Sequence, residues 1–336
     1  MTRANGGRRS GRAPRQHSSR SIATSNRWSA ICDARQLAQL KGLIHARADV
    51  VLQNLRPGQV DELGLDGVTL IAAKPGLIYC NLGAFGRAGP FKDRPGYDPL
   101  MQAFSGIMST TGEAGRPPVR VAPSIIDLGT GMWAVIGALT LLHQRRDTGK
   151  GGVVDVSLFE TATTWVTLIA AQYLASGELP TRHGSGANGI APYRAYATAD
   201  GDLVVAAGSD GLFRRLAQLL GHPEWITDAR FATNPQRVEH QATLYALIEA
   251  QMATRTSEEW ITLLEAAGIP CAPVQNIAQM LAHPQTAALG LLQNVPDSAM
   301  QLIGLPISFD GARPAIRSRP PALGEHTDLF IEKPAA

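Results

Sequence analysis

The sequence predicts an α/β protein: a large domain on a parallel sheet, a smaller α+β domain, and a C-terminal segment that returns to the large one. Three observations carry this. Two compact apolar runs, 48–55 (ADVVLQNL) and 77–82 (LIYCNL), are separated by a spacer of helical length, and strand–helix–strand is the pattern of parallel pairing. A third run, 153–158 (VVDVSL), follows a strongly apolar segment of helical length at 128–143. Composition then shifts near Glu178, where glycine loops and a hairpin-like turn open a differently built unit.

Taken in order, Asp33 suits the N-cap of a helix with Leu37, Leu40 and Ile44 on one face. The run 48–55 breaks at Arg56-Pro57-Gly58, and the run 77–82 gives way to the Gly/Pro-rich stretch 83–95. Polar residues at the carboxyl ends of such strands face a ligand crevice. A helix is expected over 101–108, and an apolar strand over 121–126 leads into Asp127. The helix at 128–143 contains Gly129, Gly131 and Gly137, which lower its propensity and point to close backbone packing. Arg145 and Arg146 suit its C-terminus. A turn at 148–152 precedes the strand at 153–158 and a long helix to about Ser176. Residues 183–189 form a glycine loop, Gly201-Asp202 a hairpin turn before a strand at 203–207, and 212–220 a helix. The best-marked helix is 256–267: Thr256 and Glu259 make a capping-box pair, and Trp260, Leu263, Leu264 and Ala267 share a face. The expected organisation is a disordered basic tail over 1–25, a large α/β domain over 26–190, a small α+β domain over 191–289 and the returning segment 290–336.

Composition excludes several function classes. Seven of the 31 basic side chains and none of the 28 acidic ones lie in residues 1–27, so the rest of the chain is mildly acidic. A nucleic-acid partner is therefore not expected, because the body carries no basic stripe with interleaved aromatics. The Arg/Ser-rich tail resembles a transit peptide in composition, but Gly6 and Gly7 spoil an amphipathic helix, and disorder is the simpler reading. No apolar run reaches membrane-spanning length, so no membrane association is expected. Cys32, Cys80 and Cys271 are odd in number and far apart, which predicts a reducing, cytoplasmic setting. The eight histidines show no ligand spacing, and no metal site is expected.

Gly184-Ser185-Gly186-Ala187-Asn188-Gly189 matches G-x-G-x-x-G by letter. No strand precedes it and Pro192 follows where a helix should open, so the dinucleotide reading fails. A loop whose backbone can approach a substrate is what remains. Asp127 has two readings from its surroundings alone. It is a helix N-cap, or it is a reactive carboxylate beside exposed backbone amides, with Gly129 and Gly131 leaving room for a bulky substrate.

A set of ordered motifs bears on that choice. Gly96-Tyr97-Asp98, then Gln102-Ala103-Phe104-Ser105-Gly106 and Thr111-Gly112, open the set. Asp127, Gly131 and Gly137 follow, then Thr148-Gly149-Lys150-Gly151 and Val154-Asp155-Val156-Ser157. Ala191-Pro192-Tyr193, Gly268-Ile269-Pro270-Cys271-Ala272-Pro273-Val274 and Gly324-Glu325-His326-Thr327 complete it. From about Asn26 onward this order and spacing resembles the class III, or CaiB/BaiF, CoA-transferases, typified by formyl-CoA transferase.

The resemblance implies a Rossmann-like large domain, an interlocked homodimer, and transfer of CoA from an acyl-CoA to a small carboxylic acid. Coenzyme A enters as substrate, and no cofactor is permanently bound. It implies that Asp127 is the nucleophile, forming an aspartyl-CoA thioester, and that Asn54, Leu55, Leu63 and Leu158 line the CoA site. The loop with Gly184, Gly186 and Gly189 is implied to cover the site. Glu62 stands where formyl-CoA transferase has a basic residue. The family's opening strand–helix–strand unit, which supplies part of the CoA cleft, has no counterpart in residues 1–25, so a shortened cleft and even an inactive remnant enter as alternatives. The nearest rival activity is an acyl-CoA racemase, whose GHD histidine is replaced here by Tyr97.

Overall fold

The computed structural model describes residues 34–326. They form two compact units. Ile44–Val274 is one, and the residues up to Leu43 join those from Gln275 onward in the other. The expected cap Asp33 and the tail over 1–25 lie outside the described residues.

The first helix, α1 (Ala34–Arg47), leads into strand β1 (Val50–Gln53). Short helices α2 (Gln59–Glu62) and α3 (Gly67–Ala73) connect it to β2 (Ile78–Gly83). Helices α4 (Asp98–Phe104), α5 (Ile107–Thr110) and α6 (Ile125–Thr148) precede β3 (Gly152–Ser157). The three strands form one parallel sheet in the order β1-β2-β3, with Gln53, Asn81 and Asp155 in one row of the register. The βαβ expectation holds.

The reason is visible along β2. Successive side chains alternate between faces. Leu77 and Tyr79 pack with Leu70, Val51 and Leu65 on one face. Ile78 and Cys80 pack with Ala138, Leu141 and Val154 on the other, under α6. A strand covered on both faces reads as an uninterrupted apolar run, which is what 77–82 is. Tyr79 also donates its hydroxyl to Leu65 O at 2.7 Å, tying α3's approach to the sheet.

Two expectations in this region need correction. Residues 121–126 form no strand. Pro123 removes a ladder donor in the middle of the run, and the main chain at Val121 is bonded by the Gln102 side chain instead. The helix expected over 101–108 is two helices broken at Gly106, whose φ of 91° closes the first. In addition, α6 starts three residues earlier than expected and, contrary to the expectation that no apolar run reaches membrane-spanning length, is long and apolar enough to cross a bilayer by length and composition. Here it packs on β2, β3 and the next helix.

After β3 come α7 (Leu158–Trp165) and α8 (Thr167–Ser176), separated at Val166. The hairpin β4 (Tyr193–Ala197) and β5 (Asp202–Ala206) turns at the expected Gly201-Asp202. Helices α9 (Asp210–Leu219), α10 (Asn234–Glu239), α11 (Gln241–Met252) and α12 (Ser257–Ala266) follow, and β6 (Cys271–Pro273) pairs antiparallel with β5. The capping box of Thr256 and Glu259 is formed in both directions. This part encloses a large apolar core, including Phe213, Trp225, Phe231, Leu244 and Trp260.

One polar residue organises that core. Arg237 is fully buried and donates to Ala191 O, Phe231 O, Gly208 O and the Asp210 carboxylate, with its guanidinium over the Phe213 ring. The second unit contains α13 (Ile277–Ala282), α14 (Pro284–Ala288) and a hairpin of β7 (Leu292–Asn294) and β8 (Gln301–Ile303).

Candidate active site

Asp127 lies in the first turn of α6, two residues past its first residue. It is not the N-cap. That position is Ser124, whose side chain makes no capping bond. The helix start is instead held from outside by Asp98, the first residue of α4. Asp98 Oδ2 accepts from Ile126 N at 2.7 Å and from Asp127 N at 3.3 Å. Its Oδ1 accepts from Gln102 Nε2 at 2.5 Å, one helical turn along α4. Gln102 Oε1 in turn accepts from Val121 N at 2.8 Å. Residues i and i+4 face the same way on a helix, so Asp98 and Gln102 clamp the segment entering α6.

Packing completes the placement. Ile126 is fully buried with Met101, Ile107 and Ala162, which turns its neighbour Asp127 outward. Gly129 faces α7 so closely that a Cβ there would stand 2.5 Å from the Trp165 ring and 3.0 Å from Thr161. Thr130 Oγ1 donates to Ile126 O and bonds Thr161 Oγ1 at 2.9 Å.

The outward carboxylate opens onto a groove of about 1080 Å³. The same groove is lined by Asn54, Leu55 and Leu158, so three of the four expected CoA-site residues share it with Asp127. Leu63, at the end of α2, does not line it. Leu158 also packs in the cluster around Ile126, so it serves both roles. Across the strand ends, Gln53 Nε2 donates to Asn81 Oδ1 and Asn81 Nδ2 to Asp155 Oδ1, each at 2.7 Å. Asp155 also meets Arg87 at 3.6 Å. Arg56, Arg87, Lys92 and Arg94 give the groove wall four cations. Asp61, Asp93, Asp155 and Glu160 line it beside Asp127, so the groove is of mixed charge, and its volume is at the upper end of the roughly 300–1,000 Å³ common for small-ligand sites.

Desolvation by the groove walls, and then the like charge of Asp98, hold the Asp127 carboxyl above its usual range. The expected free amides beside Asp127 are not there. Ile125 N bonds Pro123 O, Ile126 N and Asp127 N bond Asp98, and Leu128 N bonds Ser124 O.

The glycine loop lies elsewhere. Gly184 N bonds Gly112 O, Arg182 donates to Glu113 O and Arg116 O, and Asn234 holds Gly189 O. So anchored, Gly186 lines a separate cavity of about 430 Å³ with Glu113, Arg194, Tyr245 and Glu249. The structure does not bring Gly184, Gly186 and Gly189 onto the groove of Asp127. Among the described residues no cluster of side chains could hold a metal ion.

Sequence reasoning recognised Asp98 and Gln102 as motif letters but not as the clamp on Asp127. Their spacing of four was the available signal. It missed the row Gln53–Asn81–Asp155, which requires the strand register.

Comparison with known proteins agrees with this architecture. The chain is 39% identical over 291 residues to an acyl-CoA transferase of Fusarium pseudograminearum, covering 85% of this chain and 64% of that one. It is 36% identical to the succinyl-CoA–D-citramalate CoA-transferase of Chloroflexus aurantiacus, covering 84% and 72%. It thus spans roughly two thirds of the length of these relatives. The crystal structure of a CaiB/BaiF family protein from Brucella suis superposes with a TM-score of 0.79 at 36% identity, over 88% of this chain and 78% of that one. Residues 16–327 match CoA-transferase family III, and the chain belongs to that family.

Proposed function

We propose that this protein transfers CoA from an acyl-CoA donor to a carboxylic acid through an aspartyl-CoA thioester on Asp127. The observation that carries the reading is the placement of Asp127. Its exposed carboxylate stands on a rigid helix start at the wall of a groove with four cations. A carboxylate needs no general base to act as a nucleophile. The raised pKa makes it a better one, provided the pH is high enough to ionise it.

The steps balance as two exchanges. A carboxylate oxygen of Asp127 attacks the donor thioester carbonyl, the C–S bond breaks, and a mixed anhydride and CoA thiolate result. The thiolate attacks the aspartyl carbonyl of the anhydride, giving the aspartyl-CoA thioester and the free donor acid. The acceptor carboxylate then attacks that thioester, and a second thiolate return delivers acyl-CoA and regenerates Asp127. CoA is a substrate throughout, and no resident cofactor is needed. Because the first amides of α6 are occupied, oxyanion donors must come from other groups. Racemisation is disfavoured: no histidine lines the groove among the described residues, and Tyr97 holds the corresponding position.

The functional unit we propose is a homodimer. Leu128, Met132, Val135, Ile136 and Leu139 form an exposed apolar stripe along α6, and Leu168 and Leu174 of α8 are each more than 80% exposed. Contiguous apolar patches of this kind mark protein interfaces, and a second copy that covers the α6 stripe would border Asp127.

The test uses succinyl-CoA with D-citramalate, the pair named for the Chloroflexus relative, followed by a wider panel of acids. Hydroxylamine should attack the aspartyl carbonyl of the intermediate, expel CoA as thiol and leave a hydroxamate on the Asp127 peptide. Asp127→Ala should abolish both transfer and trapping. Full transfer in that variant would refute the mechanism.

A further inference from the structure

Asp98 is 1% exposed and lies behind the first turn of α6. A helix start presents unpaired N–H groups and a partial positive charge. Left free at this position, they would stabilise the Asp127 carboxylate and make it less reactive. Asp98 Oδ2 takes two of them, the amides of Ile126 and of Asp127 itself, at 2.7 and 3.3 Å. Among the described residues no other carboxylate bonds the main-chain amide of Asp127.

The remaining titratable groups on elements packed against α6 have other partners. Glu160 on α7 accepts from Ser157 Oγ at 2.6 Å. Asp155 on β3 accepts from Asn81 and pairs with Arg87. On β2, Tyr79 donates to Leu65 O, and Cys80 is buried in the sheet core. Arg87, Lys92, Asp93, Arg94 and Tyr97 line the groove from the loop after β2, and Asp61 lines it from α2.

We propose that Asp98 is a positioning residue for Asp127: it fixes the backbone of the attacking turn, occupies the helix-end amides, and places a second carboxylate charge beside the nucleophile. The proposal rests on Asp127 being the nucleophile. The direction of the Asp127 pKa agrees with it, since the Asp98 charge is the second cause of the rise. The groove cations can hold an anionic group, but they do not bond the amide of Asp127 itself.

Two variants separate geometry from charge. Asp98→Asn keeps an acceptor for the two amides, but its amide nitrogen would face Gln102 Nε2. Asp98→Asn with Gln102→Glu restores that contact and moves the charge one helical turn along α4, off the amides of Ile126 and Asp127. The Asp127 carboxyl is followed by NMR with carboxyl-labelled aspartate, assigned through Asp127→Asn, with no substrate present.

Both variants should titrate Asp127 at lower pH than the wild type. With succinyl-CoA and D-citramalate, kcat should fall by about tenfold or more, as expected for a misplaced reacting group, while KM for succinyl-CoA stays within about twofold. A residue that only supports the fold would move neither the titration nor the split between kcat and KM. An unchanged Asp127 titration in the folded double variant overturns the proposal. Hydroxylamine trapping of the wild type checks the underlying reading separately: if Asp127 is never modified while transfer proceeds, the nucleophile assignment fails, and this proposal with it.

Discussion

The glycines of α6 give a sharp test, because the same substitution should act in opposite directions two residues apart. An alanine is about 0.8–1.0 kcal/mol more favourable than glycine in a helix interior. At Gly131 a new Cβ meets nothing within 4 Å, so Gly131→Ala should stabilise by about that amount. At Gly129 the Cβ would stand 2.5 Å from Trp165 Cζ2, 3.0 Å from Thr161 Cγ2 and 3.1 Å from Trp165 Cη2. Thr161 cannot yield easily, since it is buried and bonded to Thr130 and to Ser157 O. Trp165 is 45% exposed and can swing only in part. Overpacking of this kind costs about 1–3 kcal/mol. Set against the propensity gain, Gly129→Ala should destabilise by about 0–2 kcal/mol, leaving the two variants about 1–3 kcal/mol apart. Urea unfolding by circular dichroism, with m unchanged, measures both. Equal effects, or a Gly129→Ala more stable than Gly131→Ala, would refute the packing argument for the α6–α7 contact. Transfer activity should fall in Gly129→Ala, because the displaced turn carries Asp127.

Two further outcomes follow from the same geometry. The Asp127 pKa is higher in the folded chain than in the unfolded one, by desolvation first and then by Asp98. Its contribution to stability is therefore full below the unfolded pKa and lost as pH rises through the folded value. Asp127→Asn should accordingly melt higher than the wild type at about pH 7, and the difference should vanish once the pH falls below about 4. A gain that grows on acidification would contradict the sign. Arg237→Ala should cost about 3–5 kcal/mol, because it removes the donor shared by three buried carbonyls.

Much of the fold was legible because its signals are local. The runs 48–55, 77–82 and 153–158 became the three parallel strands: the central β2 is buried and mostly apolar, as a strand covered on both faces must be, whereas β3 alternates between less and more exposed residues. The Thr256–Glu259 box became a formed cap because its partners are three residues apart. Where local signals mislead, the partners are distant. The run 121–126 looked like a strand, yet its main chain is held by Gln102, 19 residues away.

The same division holds at the site. The sequence by itself determined the family, through the order and spacing of its motifs, and singled out Asp127, Asn54, Leu55 and Leu158. Local reasoning left Asp127 divided between cap and nucleophile, since a first-turn aspartate suits both. Only the tertiary structure decided that it is not the cap. Asp98, 29 residues earlier, does that work, and it occupies the amides that the sequence led one to expect free. The structure also separated the glycine loop from the Asp127 groove, through bonds to Gly112, Glu113 and Asn234 that lie 45 to 72 residues apart in sequence. Such contacts follow from how the chain closes on itself, and no local pattern records them.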